Sequence, residues 1–304
     1  MAEPHQKWSG KSRGGYWGNL CFFWLIKYIG LWSAYLLLWP VALYFIPAAP
    51  AATVALWDYY RRSLHCGKLA SMLNIYLHYY RFGQILIDKI ALNEGMTPQY
   101  RFNTDEVDEF LKKFIPISSK GAIFIGAHIG NWESGSHLFG DFANKMHFVM
   151  FRNQANQKHT DYSPNTLSRI ISLSENPLDY LLKIKSTLDQ GEFICIQGDR
   201  YIQGQRTLSA NFMGREALFP QGPFHLSARF RVPVIFYFAT RHPHKTYRFN
   251  FRVAEPVQTN SHVSPALQLL HQYITALEEI LSQTPQQWFN FYCFWDSAAI
   301  SQIK

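Results

Sequence analysis

Apolar and polar positions follow two different patterns along the chain, and the change between them lies near residue 57. From Tyr28 to Trp57 the sequence contains no Asp, Glu, Lys, Arg or His. A helix of about 20 apolar residues is long enough to cross the hydrocarbon core of a bilayer. Residues 1–57 are therefore predicted to form a basic N-terminal segment and a membrane anchor, and residues 58–304 a separate domain.

Prolines interrupt the predicted anchor. Pro40 is expected to kink a helix, and Pro47 and Pro50 are expected to end it, so that the segment either spans the membrane or enters and returns. Basic residues flank the segment on both sides, which leaves its orientation open. Two other interpretations remain: a buried hairpin in a large soluble domain, and a cleaved signal peptide that would use the small residues 48–52.

The pattern after residue 57 predicts helices that alternate with strands. Apolar residues recur every three or four positions over residues 58–92, which predicts a helix with a basic polar face. Strands are then predicted at 121–127, 146–151, 193–197, 232–240 and 246–253, and helices at 104–114, 177–190, 223–230 and 265–282. This alternation is typical of an α/β fold with a central, largely parallel sheet flanked by helices. The predicted fold thus adds an N-terminal hydrophobic anchoring helix to an α/β domain.

Polar side chains follow three of the predicted strands. His128 follows the first strand, Arg152 the second, and Asp199 with Arg200 the third. Because ligands bind outside the carboxyl ends of the strands in open α/β sheets, we expect these residues to converge at one edge. A lone histidine beside an apolar strand is usually a core residue, and this convergence favours a functional role for His128.

The segment from His128 to Glu133 places an imidazole and a carboxylate five residues apart where the first strand is expected to give way to a helix. A neutral imidazole can take a proton from a hydroxyl or amine, and a carboxylate on its other ring nitrogen fixes the tautomer. We therefore predict that His128 is a general base and Glu133 its orienting partner. No Gly-x-Ser-x-Gly motif supplies a serine nucleophile, so direct attack by the acceptor is predicted.

Composition narrows the class of partner. Charged residues make up 16% of the chain, below the roughly 25% of typical soluble domains, so part of the surface is expected to meet something other than water. The net charge of +8 suits an anionic lipid surface, an acidic protein or nucleic acid. No nucleic-acid-binding motif supports the last of these. The four cysteines lie far apart, which predicts neither a metal site nor a disulfide framework, and a reducing compartment is expected.

Several blocks of sequence occur in an order that is known from one family. The segment from His128 to Glu133 comes first, and Gly198-Asp199-Arg200 follows it. Later blocks are Phe212–Pro220 with Gln221-Gly222-Pro223, Arg231–Ile235, and Thr284–Phe289 with its Pro-x-x-Trp segment. Together with the anchor, they resemble the lipid A biosynthesis (late) acyltransferases of the lysophospholipid acyltransferase superfamily, and among these the predicted acyltransferase branch.

The resemblance implies transfer of a fatty acyl group from an acyl-carrier-protein or coenzyme A thioester to a hydroxyl or amine of a lipid acceptor, without a further cofactor. It implies that His128 is the base and Glu133 its partner, although many members carry Asp in place of Glu133. It also implies that Arg152 binds a substrate phosphate, for which a bidentate guanidinium is suited. An ordinary surface arginine is the alternative.

Three further residues are predicted to bind substrate. Arg200 is a second candidate for an anionic group, with Asp199 orienting it, and a structural ion pair between them is the alternative. Gly222 is expected in a tight turn that lets backbone N–H groups approach a developing oxyanion.

The resemblance also implies a location and partners. The acyltransferase domain is expected on the cytoplasmic side of a bacterial inner membrane, in contact with lipid acceptor and with acyl carrier protein or acyl coenzyme A. Five arginines are candidates for docking the acidic carrier protein, or for a solvated surface: Arg200, Arg206, Arg215, Arg229 and Arg231. The rival functions are a membrane-tethered protein that binds anionic lipid without catalysis, and a hydrolase that uses the same dyad on water.

Overall fold

Four helices form the N-terminal part of the described chain. The computed structural model describes residues 16–103, 107, 109–110, 112, 120–132, 140–150, 169–173, 176–201, 204–258 and 260–295. The N-terminal helices are α1 Tyr16–Tyr28, α2 Leu31–Ala48, α3 Pro50–Asp58 and α4 Lys68–Asn93. α2 continues through Pro40 and ends one residue after Pro47. Pro50 is the first residue of α3, a position where proline is tolerated because the N–H of that residue makes no hydrogen bond within the helix. Within the described residues, one helix is both long enough and apolar enough to cross a membrane, and that helix is α2.

The predicted boundary between residues 57 and 58 lies in the last turn of α3, and the division into anchor and domain stays a prediction. The predicted start of the helix at residue 58 is wrong, because the chain leaves helical geometry before α4 begins at Lys68. A π-helical turn at Tyr59–Ser63 is followed by His65 with a φ of 52°, a left-handed conformation that ends a helix. The Cys66 N–H then donates to the Tyr60 carbonyl, and the Arg61 guanidinium donates to the Cys66 carbonyl.

Seven strands of the described residues form the central sheet: β1 Arg101–Phe102, β2 Ala122–Gly130, β3 Met146–Met150, β4 Ile170–Ser172, β5 Phe193–Gln197, β8 Val234–His242 and β9 Thr246–Val253. Their order across the sheet is β1-β9-β8-β2-β5-β3-β4. Neighbouring strands are parallel except β8 and β9, which are antiparallel. A separate hairpin consists of β6 Thr207–Phe212 and β7 Arg215–Pro220, and the later helices are α5 Pro177–Asp189, α6 Gln221–Phe230 and α7 Pro265–Gln283. The predicted α/β fold with a largely parallel sheet is confirmed.

The sheet separates two buried layers. Ile123 and Ile125 of β2 belong to the same buried cluster as α7, whereas Ala122 and Phe124 belong to a cluster with the second half of α4. This alternation follows from the period of two along a strand. β2 is therefore a central strand with both faces covered, which explains its nearly continuous apolar sequence.

β2 extends further than its apolar sequence indicated. The strand continues to Gly130, so His128 lies within its last residues and not in a turn after it. Its pairing with β8 shifts register between Gly126 and Gly130, so the ladder is irregular around His128. Of the helix predicted at 104–114, only residues 107, 109, 110 and 112 are described, and each of them is helical.

A buried ion pair fixes α4 to the sheet. Asp88 of α4 is fully buried and its carboxylate accepts from Arg241 Nε of β8 at 2.6 Å. The hydroxyls of Tyr35, Tyr100 and Tyr247 also donate to Asp88. Because Tyr35 belongs to α2, this one carboxylate ties two N-terminal helices and two strands together. The hydrogen bonds offset the cost of burying both charges.

We predict that Asp88→Asn destabilises the fold by about 3–5 kcal/mol, because it leaves the Arg241 guanidinium buried without its counter-charge. The measurement is chemical unfolding of the purified full chain. Asp189→Asn is the matched control, since Asp189 pairs with Lys185 on the exposed surface of α5, and it should cost less than about 1 kcal/mol. Equal effects of the two variants would contradict the central role of the buried pair.

Candidate active site

Two neighbouring parallel strands bring His128 and Asp199 to the same edge of the sheet. β2 pairs with β5 up to Gly126 opposite Gln197. His128 and Asp199 each stand two residues beyond these partners. Because parallel strands advance together, residues with the same offset reach the carboxyl edge at the same level. The residues are 71 positions apart in sequence and adjacent in space.

Asp199 accepts three hydrogen bonds from two other segments. Its Oδ1 lies 2.7 Å from Nδ1 of His128, and its Oδ2 accepts from the His128 backbone N–H at 2.9 Å. The indole N–H of Trp288 donates to the same Oδ2 at 3.0 Å. Asp199 is only 1% exposed, so its charge is held by these donors and not by water.

The surroundings of Asp199 keep it ionised. Burial would raise the pKa of this carboxyl, but the charge of His128, its hydrogen bonds and the nearby Arg200 guanidinium lower the pKa to about 2. An ionised carboxylate only accepts hydrogen bonds, so Nδ1 of His128 carries the proton. Nε2 of the neutral ring then carries the lone pair, and it is the nitrogen that can take a proton from a nucleophile.

The lowered pKa also has a consequence for stability. A carboxyl whose pKa is lower in the folded state stabilises the fold above the pKa of the unfolded chain. For Asp199 this stabilisation is present above pH 3.8 and is lost as the pH falls towards 2. The carboxylate therefore keeps its charge throughout the neutral range in which a histidine base acts.

The segment that carries Trp288 also fixes the backbone of His128. The Phe289 N–H donates to the His128 carbonyl at 2.9 Å, and Ile129 forms a β-bridge with Trp288. Gly130 has a φ of +53°, and a Cβ at this position would lie 1.9 Å from the Ala239 carbonyl oxygen. Only glycine fits there without a shift of β8, and its positive φ coincides with the end of β2, two residues after the histidine.

The ring of Trp132 packs against the histidine without sealing it. The Trp132 ring stands edge-on to the imidazole with the two centroids 4.9 Å apart. The His128 side chain remains 14% exposed. A base of this kind is held in one orientation and still has access to a small reacting group.

Residues 101–296 match the family model described as bacterial lipid A biosynthesis acyltransferase. The chain belongs to this family. The match spans the strands that carry His128 and Asp199 and the segment that carries Trp288. No curated protein matches the chain. Family membership makes the protein an acyltransferase, which uses an acyl donor and a lipid acceptor.

Two predicted site residues of the acyltransferase, Glu133 and Arg152, lie outside the described residues. Their roles as orienting acid and as phosphate ligand stay predictions. In the described residues, the carboxylate on Nδ1 of His128 is that of Asp199, which sequence reasoning had placed beside Arg200 for substrate binding.

Arg200 is engaged with the protein itself. Its Nη2 donates to the carbonyl of Phe289, the residue whose N–H holds His128. Burial lowers the pKa of the guanidinium, and the neighbouring Asp199 opposes that effect. Substrate binding by Arg200 and a structural ion pair with Asp199 both stay predictions.

The prediction for the conformation of Gly222 is wrong. Gly222 is the second residue of α6, in ordinary helical geometry and not in a tight turn. A Cβ at this position would meet nothing within 4 Å. The first N–H groups of a helix have no partners within it, so an oxyanion role for this turn stays a prediction on a different structural basis.

The five arginines do not form one free surface. Arg215 donates to Asp58 at 2.7 Å and to Ser63, and its guanidinium lies 4.8 Å from the centre of the Trp295 ring. Arg200 is bonded to the protein as described above. The exposed arginines of the set are Arg206, Arg229 and Arg231.

The sequence patterns did not indicate that Asp199 pairs with His128, and they indicated no role for Trp288. The signal that could have found the pairing was the equal offset of both residues from the ends of two predicted strands. No signal in the sequence ranked Asp199 above Glu133, which is closer along the chain. Within the described residues no three His, Cys, Asp or Glu side chains gather as a metal site, and independence from metals and cofactors stays a prediction.

We predict that Asp199→Asn lowers kcat by about 10²- to 10⁴-fold with a small change in KM, because a neutral amide no longer enforces the Nδ1–H tautomer. The measurement is steady-state acyl transfer by the purified full chain. Asp179→Asn in the exposed first turn of α5 is the control and should leave kcat unchanged. If Asp199→Asn keeps wild-type kcat while its fold is intact by circular dichroism, Asp199 does not orient the base.

Proposed function

We propose that this acyltransferase moves a fatty acyl group from an acyl-carrier-protein or coenzyme A thioester to a hydroxyl or amine of a lipid acceptor, with His128 as general base. The observation that carries the proposal is the 2.7 Å contact between His128 Nδ1 and a buried, ionised Asp199 in a chain of this family. In the neutral ring this contact leaves the lone pair on Nε2.

In the proposed reaction, the oxygen or nitrogen of the acceptor attacks the thioester carbonyl while Nε2 of His128 takes the proton from that atom. A new C–O or C–N bond forms, and the carbonyl electrons move onto the oxygen of a tetrahedral intermediate. When this intermediate collapses, the C–S bond breaks and the sulfur takes the proton back from the imidazolium. General base catalysis of this kind contributes about 10²- to 10⁴-fold. Asp199 stabilises the imidazolium while it exists and stays ionised throughout.

The family and α2 support a proposal for location and partners. We propose that the protein is attached to the bacterial inner membrane, with its catalytic domain on the cytoplasmic side where acyl thioesters are made. The family and the apolar α2 support membrane attachment. The exposed arginines 206, 229 and 231 support an acidic carrier protein as donor.

The test uses His128→Ala and Glu133→Ala in the purified full chain. Acyl-carrier-protein and coenzyme A thioesters are each offered with a lipid A precursor and with a bacterial lipid extract, and products are identified by mass spectrometry. We expect His128→Ala to lose transfer by about 10²-fold or more while it remains folded and membrane-bound. Glu133→Ala tests the predicted orienting acid, and full transfer by this variant would leave Asp199 as the partner of His128. His271→Ala on the exposed surface of α7 is the control and should keep full activity.

Retention of most activity in His128→Ala would contradict the assigned base. Thioester consumption without a lipid product would favour the hydrolase instead. Vesicle binding without any thioester consumption would favour a non-catalytic lipid-binding protein.

A further inference from the structure

One face of α2 is packed against the protein. The residues Leu31, Ala34, Leu38 and Ala42 of this helix are all buried. Leu38 fits against Gly83 of α4, where a Cβ would lie 2.2 Å from its Cδ1 atom. The absence of a side chain at Gly83 thus allows the two helices to approach closely.

The opposite face of α2 is apolar and exposed. Trp32, Leu36, Trp39 and Leu43 are 65%, 64%, 56% and 61% exposed, respectively. Their spacing of four, three and four residues places them in one stripe along the helix. Soluble proteins rarely expose a contiguous apolar stripe of this kind unless it meets a partner or a membrane.

The stripe continues onto α4, which lies beyond the predicted anchor. Leu69, Met72 and Leu73 in the first two turns of α4 are 83%, 58% and 60% exposed. Tyr76 lies four residues after Met72 and three after Leu73, and therefore on the same face of α4. The centre of its ring is 6.1 Å from that of Trp39 in α2. The two helices therefore share one apolar face, which consists of Trp32, Leu36, Trp39, Leu43, Leu69, Met72 and Leu73.

Polar contacts hold α2 on the catalytic unit. The Tyr35 hydroxyl donates to the buried Asp88 and accepts from Arg241 Nη2 of β8 at 3.4 Å. A helix that is surrounded by acyl chains on all sides has no protein partners for these hydrogen bonds, so the side of α2 that carries Tyr35 faces protein. Only the exposed side of α2 is available to lipid.

The charges at the edges of the face suit an anionic leaflet. Lys68 is exposed directly before Leu69 of the face, and Lys27 is exposed in the last turn of α1, the helix that precedes α2. The segment between Tyr28 and Trp57 carries no acid that would repel anionic headgroups. Each basic residue near such a surface contributes about 1 kcal/mol of attraction.

We propose that this apolar face is a lipid-docking surface that runs from α2 onto the start of α4, so that the acyltransferase rests in one leaflet. The membrane contact thus includes a segment of the predicted catalytic domain, and α2 lies along the protein with one side in lipid. The proposal rests on exposure, packing and charge, and it is independent of which acyl group or acceptor the site uses.

The first experiment measures the partition of the full chain onto phosphatidylethanolamine–phosphatidylglycerol vesicles by flotation. The triple variant Leu69→Ser, Met72→Ser, Leu73→Ser should lower the partition coefficient by at least about tenfold, because three exposed apolar side chains lose their burial in lipid. The matched control is Leu178→Ser with Leu182→Ser on α5, two leucines that are 62% and 56% exposed, and it should partition like wild type. Unchanged partition of the triple variant would overturn the proposal.

A second measurement needs no substitution and so does not depend on the folding of a variant. Vesicles that contain phosphatidylglycerol with a diazirine in its acyl chain are irradiated with the wild-type chain, and adducts are mapped by mass spectrometry. We expect adducts on residues 69–76 and on the exposed side of α2, and none on α5. Adducts on Leu31, Ala34 and Leu38 but none on 69–76 would show a spanning helix and contradict the proposal.

Two further readouts separate this proposal from its neighbours. If the triple variant changes the molar mass in detergent by light scattering and leaves vesicle partition unchanged, the face binds a second copy of the chain and the proposal is wrong. Transfer to a detergent-dispersed acceptor is measured in parallel. Loss of partition with retained transfer supports docking, whereas absent transfer by a wild-type chain that binds vesicles contradicts only the proposed function.

Discussion

The candidate site depends on one buried charge, the carboxylate of Asp199. A buried carboxylate without partners would cost several kcal/mol or take up a proton. Here two donors of His128 and the indole of Trp288 offset that cost. The same bonds that keep Asp199 ionised therefore fix the ring and tautomer of His128. Stability of the charge and orientation of the base have a single physical cause.

The fold joins this site to α2 and α4, whose shared apolar face is proposed to bind lipid, through the segment that carries Trp288. Phe289 holds the His128 carbonyl with its N–H, and its ring lies 5.0 Å from that of Phe82 in α4. α4 in turn holds α2 through Asp88. The helix whose first turns are proposed to bind lipid thus contacts, further along, the segment that holds His128. This arrangement suits an enzyme whose acceptor is a membrane lipid.

Sequence patterns predicted what depends on local periodicity. The strands at 193–197 and 246–253 and the helix from Pro265 follow directly from spacing. The interruption of the helix before α4 was not predicted, because apolar periodicity contains no signal for the left-handed conformation of His65. The exposure of Leu69 was not predicted either, because an apolar stripe has the same sequence pattern whether it faces a protein core or lipid.

The site was predicted in part for the same reason. His128 stood out by its position after a buried strand, and convergence of polar groups at the carboxyl edge was expected. The pairing of His128 with Asp199 depends on β2 lying beside β5 with two strands between them in sequence. Such non-local order is set by the packing of the whole sheet, whereas Glu133 attracted attention because it is near in the chain.

The most direct test of the account is the tautomer of His128, read by ¹⁵N NMR of histidine-labelled protein with the resonance assigned by its loss in His128→Gln. The account predicts a neutral ring near pH 8 with the proton on Nδ1 and an unprotonated Nε2, and loss of this preference in Asp199→Asn. A proton on Nε2 in the wild-type protein, or the same tautomer with and without the Asp199 carboxylate, would contradict it.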